Sequence, residues 1–244
     1  MRGVASPPPR RDARIAPVDA ERLVTDLVGE IRGALRARAD PARAPQQRAY
    51  MKSAMPFLGV AVPDVRRITR AQVRGLQIVD AETLRSAALT LWDDAAYREE
   101  RYAAMSLLAT PSASVDLAVV PVVEHMVRTG RWWDYTDELA HRLAALHDVA
   151  PAATAALVRR WSTDEDMWIR RIAIISQLGR RDRVDRELLG EVIAANLSDR
   201  EFFISKAIGW ALREYARVEP GWVRQYTDTH DLSPLSRREA LKHL

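Results

Sequence analysis

The chain contains no cysteine. That excludes a disulfide framework and every zinc site built on thiolates. The five histidines stand at no ligand-like spacing, so chemistry without metal or cofactor is the expectation. Lysine is scarce as well: Lys52, Lys206 and Lys242 are the only ones, and nearly all positive charge is arginine. Arginine suits bidentate contacts to phosphate, though a GC-rich genome gives the same bias. No apolar run approaches the roughly 20 residues of a membrane span, and the start "MRGVASPPPRRDAR" lacks the apolar core of a secretory signal, so a cytoplasmic protein is expected. Period-two alternation, the mark of a half-buried strand, is also missing.

What is present is ample for a packed core. The 244 residues are 48% hydrophobic and 29% charged, with a net charge of +4, which fits one elongated domain or two small ones. Residues 1–17, rich in proline and arginine, read as a disordered basic tail. From Val18 to the end, apolar residues recur at spacings of three and four. "DAERLVTDLVGEIRGAL" opens on Asp19 as an N-cap and places Leu23, Leu27, Val28 and Ile31 on one side. Prolines 63, 111, 121, 151, 220 and 234 fall at joints or first turns, where proline is tolerated. The chain reads as all-α.

It also repeats. Arg98, Trp133, Trp168, Phe203 and Arg238 occupy matching places in similar segments, each 35 residues from the next. A period of that length accommodates two helices and two turns, the unit of a helical solenoid, and the degeneracy of the copies points to HEAT-like units. Residues 18–244 are therefore expected to form one solenoid domain, a right-handed superhelix with a concave basic groove. Three positions after the aligned residue stand Arg101, Arg171 and Lys206, whereas the second copy has Thr136 followed by Asp137. An acid breaks a basic row.

On a helix, Trp133 and Asp137 lie one turn apart on one face. An indole beside a carboxylate is a site for an organic cation; the plainer reading is a core tryptophan with an acid that is either an exposed helix residue or a partner of Arg171. Arg171, Lys206, Trp210 and Arg213 interleave aromatic and basic side chains on successive repeats, as a groove for an extended polyanion would. Trp168 and Phe203 read as inter-repeat core. Tyr50 and Lys52 lie near the N-terminal end, and "MPFLG" reads as a tight joint before a helix capped by Asp64. Arg131 and Arg238 are further basic candidates.

The strings "RAYMK", "FLGV…PDVRR", "WWDYTD", "WIRRIAIISQL", "EFFISKAIGWALREYAR" and "SPLSRREALKHL" together resemble the AlkD-like DNA alkylation repair enzymes, in order from about residue 21 to the end. The resemblance implies a HEAT-like-repeat DNA glycosylase of base excision repair. Such an enzyme hydrolyses the N-glycosidic bond of cationic N3- or N7-alkylated purines in duplex DNA. It implies a monomer that works on double-stranded DNA, nucleoid-associated in a bacterial cytoplasm, with no metal, cofactor or membrane. Carried onto this chain, the catalytic acid is Asp137 and the lesion-site tryptophans are Trp133 and Trp210. Tyr50, Arg171, Lys206 and Arg213 are the DNA-binding residues. The chain departs from the family at its ends, with a longer basic start and a stop at "KHL".

Chemistry agrees with that assignment. An alkylated purine already carries positive charge and leaves readily, so the main need is a carboxylate that stabilises the developing oxocarbenium ion or positions water. The competing class is a non-catalytic solenoid that binds distorted DNA or a protein partner. Asp137 separates the two, because a pure binder of polyanions gains nothing from an acid in its groove.

Overall fold

The structure, a computed structural model, describes residues 17–244; the expected basic tail lies outside the described residues except for Pro17, which opens the first helix instead. Fourteen α-helices, two short 3-10 turns and no strand make up the described residues. In chain order the helices are α1 (Pro17–Arg36), α2 (Ala44–Met51), α3 (Val62–Gly75), α4 (Ala81–Asp93), α5 (Arg98–Leu108), α6 (Pro111–Ser114) and α7 (Val120–Gly130). The second half holds α8 (Trp133–Val149), α9 (Pro151–Trp161), α10 (Met167–Ile174), α11 (Arg186–Ala194), α12 (Phe202–Tyr215), α13 (Pro220–Thr229) and α14 (Pro234–Ala240).

Local chemistry explains where these helices start. Asp80, Asp166 and Asp185 cap α4, α10 and α11, each accepting a backbone N–H from the first turn. All six prolines singled out in the sequence fall in first turns, where the missing N–H has no partner to lose. Two expected caps are corrected. The first helix begins at Pro17, which puts Asp19 in its first turn, and α3 begins after Ala61, leaving Asp64 inside the helix and paired with Arg67 at 2.7 Å. Both acids still meet the positive end of a helix, which is the signal that the sequence carried.

From α4 onward the helices alternate between two rows. α5 packs on α8, α8 on α10, α10 on α12 and α12 on α14, with α4, α7, α9, α11 and α13 behind them. α3 extends the first row beyond α5, and α1 covers α3, α4 and α5. The fold is an all-helical solenoid, and its polar bonds run with the repeat. Asn196 donates to the Ser162 carbonyl and Arg142 to that of Leu108, in each case 34 residues away; the Ser236 hydroxyl donates to the Ser205 carbonyl, 31 away. The first two bonds satisfy carbonyls at the C-terminal ends of α9 and α5 that have no partner within the helix, and the third ties α14 to the first turn of α12.

The "MPFLG" joint is held by a buried acid. Glu99, with no exposed surface, accepts the backbone N–H groups of Leu58, Gly59 and Val60 at 2.9, 2.8 and 3.1 Å. Gly59 has φ +90, and a Cβ there would lie 2.1 Å from the Asp40 carbonyl oxygen, so only glycine fits. No described helix is long and apolar enough to cross a membrane.

His147 of α8 is buried between repeats, and that burial, with Arg180 nearby, holds its imidazole down to about 4 from an ordinary 6.5. Because the folded value is depressed, the stability that His147 contributes is complete above about pH 6.5 and is lost as the pH falls towards 4. The loss reaches ~3 kcal/mol. Urea midpoints measured between pH 7 and 5 should fall more steeply for the native protein than for His147→Gln; equal slopes would contradict this role.

Candidate functional site

The stretch "TGRWWDYTDELA" is shaped by one glycine. α7 ends at Gly130, Arg131 adopts the left-handed conformation (φ 45), Trp132 is extended, and α8 begins at Trp133. A Cβ on Gly130 would stand 2.8 Å from both the Trp92 and the Tyr135 rings, which pack edge to face with centroids 4.9 Å apart. Trp132 turns into the repeat interface, its ring 6.3 Å from Trp168 and 5.9 Å from Phe203. This cluster of three rings fixes the spacing of α8, α10 and α12.

Asp137 of α8 reaches across to α10. Its two oxygens accept Nε and Nη2 of Arg171 at 2.9 and 2.8 Å, while Arg171 Nη1 donates to the Phe203 carbonyl in the first turn of α12. One guanidinium therefore ties three repeats together. The Arg171 side chain is 5% exposed and the Asp137 side chain 16%. Burial pushes the Asp137 carboxyl above its ordinary value; the hydrogen bonds and charge of Arg171 oppose the shift, and Asp134 adds to it. The result is a largely desolvated carboxylate held in one orientation, with a small part of its surface open.

Helix starts also refine the repeat register. Trp133, Met167 and Phe202 are the first residues of α8, α10 and α12. Asp137, Arg171 and Lys206 are then each the fifth residue of their helices, so the acid occupies the cation position of its neighbours.

Trp133 lies one turn before Asp137 on α8. It is half-buried and lines a cavity of about 210 Å³ with Met51, Arg66, Tyr102, Met105 and Glu138 between α3, α5 and α8. Thus Trp133 and Asp137, one turn apart, serve different inter-helix grooves. Behind Trp133, the Asp134 carboxylate accepts Arg98 Nη2 and the Tyr102 hydroxyl, both at 2.7 Å, and the Arg98 guanidinium lies 4.2 Å from the centre of the Tyr135 ring. Burial and the Asp134 charge hold the Tyr102 hydroxyl well above its ordinary pKa, so it stays protonated and donates. Arg98 Nη1 also donates to Ser53, which anchors the segment after Tyr50 and Lys52 to the start of α8.

Trp210 is half-buried on α12, packed against the core. Lys206 and Arg213, one turn to either side, are both bonded to Glu239 of α14, at 3.1 and 2.6 Å. Tyr50, near the end of α2, is 76% exposed, and its side chain makes no hydrogen bond or ring contact among the described residues. Arg131 and Arg238 are exposed. The structure thus joins Asp137 to Arg171 directly and Lys206 to Arg213 through Glu239; among the described residues no side-chain hydrogen bond, ion pair or cation–ring contact links Tyr50, Trp133 or Trp210 to that set.

Sequence reasoning missed Glu239, Asp134 with Arg98 and Tyr102, and the Arg66–Glu138 pair at 2.6 Å. These partners lie 26 to 72 residues apart and carry no spacing signal. One indirect signal existed: Gly209 sits inside a helix, where glycine marks a close approach. A Cβ there would lie 2.5 Å from Glu239 Cβ.

Replacing Gly130 with alanine should shift Trp92 or Tyr135 and destabilise the fold by about 1–3 kcal/mol, as overpacking does. Chemical denaturation tests this; an unchanged midpoint would show that the close contact at the α7 terminus is not needed.

A solved structure described as a predicted DNA alkylation repair enzyme from Enterococcus faecalis is similar, with a TM-score of 0.77 and 27% sequence identity. The match covers 84% of this chain and 96% of that one. Among curated proteins, no sequence matches significantly. The profile of the DNA alkylation repair enzymes matches residues 31–244, and the chain belongs to that family.

Proposed function

We propose that this protein is a DNA glycosylase that hydrolyses the N-glycosidic bond of cationic N3- or N7-alkylated purines in duplex DNA. The observation that carries the reading is Asp137: a desolvated carboxylate, fixed by two hydrogen bonds from Arg171, at a position where neighbouring repeats present cations. Family membership supplies the substrate class, DNA with alkylation damage.

Bond cleavage needs little from the protein at the base. The C1′–N electron pair returns to the cationic ring and neutralises it, so the purine departs without a general acid. Positive charge then grows on C1′ and the ring oxygen of the sugar. A fixed carboxylate in a site of low polarity stabilises that charge more strongly than an exposed one would. Water that attacks C1′ releases a proton, and the raised pKa of Asp137 suits it to accept.

In this account Arg171 serves DNA indirectly. Three of its five N–H groups are committed to Asp137 and Phe203, and it acts by orienting the carboxylate. Lys206 and Arg213 contact phosphate, which positions the duplex without reading its sequence. Trp133 and Trp210 flank the lesion with rings that attract a cationic base, and exposed Tyr50 touches the backbone. The competing reading is a non-catalytic solenoid in which Asp137 does no more than pair with Arg171.

Chromatography of bases released from methylated duplex DNA separates the two. The native protein should release 3-methyladenine or 7-methylguanine without added metal, and Asp137→Asn should lower the rate by at least ~100-fold while duplex binding persists. Undiminished release by Asp137→Asn would overturn the mechanism.

A further inference from the structure

Lys206 and Arg213 project from the same side of α12, with Gly209 and Trp210 between them. In the structure both are occupied by a carboxylate of the protein itself. Glu239 Oε1 lies 3.1 Å from Lys206 Nζ, and Glu239 Oε2 lies 2.6 Å from Arg213 Nη1. One acid bridges two cations much as a phosphate would, one oxygen to each.

The bridge is built in, not a chance meeting of surface chains. Gly209 has no side chain, and the Glu239 Cβ lies 2.5 Å from where its Cβ would be, so α14 rests directly on α12. The Ser236 hydroxyl donates to the Ser205 carbonyl at 2.9 Å, and Ser233 caps α14 through the Ser236 N–H. These contacts hold the carboxylate over the midpoint between the two cations. The Glu239 side chain is 15% exposed and that of Arg213 19%, whereas Lys206 is 39% exposed. Arg213 is therefore the firmer partner, and Lys206 is the arm that can change partner. The two cations hold the Glu239 carboxyl below its ordinary value, so it stays ionised at neutral pH.

We propose that Glu239 is a built-in phosphate mimic that competes with the DNA backbone for Lys206, lowering affinity for duplex DNA whether or not it carries a lesion. The idea rests on the DNA-binding part of the reading above, not on the chemistry at Asp137. With Glu239 in place the cluster carries a net charge of +1; without it, +2. A polyanion gains one more free cation, and a phosphate no longer has to displace a bonded carboxylate. Damaged and undamaged duplex share this backbone contribution, so Glu239 lowers affinity for both by the same factor and weakens the hold of intact DNA on the protein.

The test is a titration of full-length protein against an undamaged duplex and the same duplex carrying one 7-methylguanine, at several salt concentrations. Glu239→Gln should bind the undamaged duplex about tenfold more tightly at ~0.1 M salt, with a salt slope steeper by about one. Its preference for the methylated duplex should stay the same, because the backbone contact is common to both. In a Lys206→Gln background the tightening should disappear. Equal or weaker binding by Glu239→Gln, or tightening that persists without Lys206, would overturn the proposal. Should Glu239→Gln lose its cooperative unfolding transition, Glu239→Asp takes its place. That carboxylate is one methylene shorter and cannot span both cations, so intermediate tightening is expected and unchanged affinity would count against the idea. Base release is scored separately: a protein that binds duplex but frees no base refutes the glycosylase reading alone, while the Glu239 comparison stands on binding.

Discussion

The Arg171 guanidinium holds Asp137 with two hydrogen bonds and the Phe203 carbonyl with a third, and the geometry of the candidate site depends on that one side chain. Neither partner could be left alone. A carboxylate with 16% of its side chain exposed would be costly without a cation beside it, and an arginine at 5% would be costlier still. Their pairing keeps the acid ionised in a setting that pushes its pKa upward. It also joins α8, α10 and α12, so the position of the acid is set by the stacking of three repeats. The cluster of Trp132, Trp168 and Phe203 supplies the apolar half of the same joint.

Charge follows the same logic through the molecule. The arginine excess suggests a basic surface waiting for a polyanion, yet many of these side chains are engaged across repeats. Arg98 pairs with Asp134, Arg128 with Asp164, Arg170 with Asp199 and Arg180 with Asp148. Each pair spans 29 to 36 residues, one repeat. Arginine here is first a stacking residue, whose planar fork meets a carboxylate from the next unit, and second a candidate for phosphate. The Lys206–Arg213–Glu239 cluster fits this pattern while lying beside Trp210 on the same helix.

The fold was legible in the sequence because the repeat is regular. Spacing of 35 residues put Trp168 and Phe203 in the inter-repeat core, and six prolines marked first turns. Asp137 stood out because its neighbours in the register are cations. The errors have a common cause: an acid near a helix start reads as a cap whether it precedes the helix or lies in the first turn, and Asp19 and Asp64 are each the third residue of their helices. The register slips by one between α8 and α10 because Trp133, not the packed Trp132, opens the helix. Pairings such as Asp134 with Arg98 or Glu239 with Lys206 were not legible, since they arise only when separate helices meet.

The central claim is that Arg171 acts through Asp137. A double-mutant cycle on single-turnover release of 7-methylguanine tests it most directly, with Asp137→Asn, Arg171→Gln and the double variant compared with the native protein under saturating enzyme. The account predicts strong non-additivity: once Asp137 is gone, removing Arg171 changes the rate little further. Losses that simply multiply would show that the two residues act independently and would contradict it.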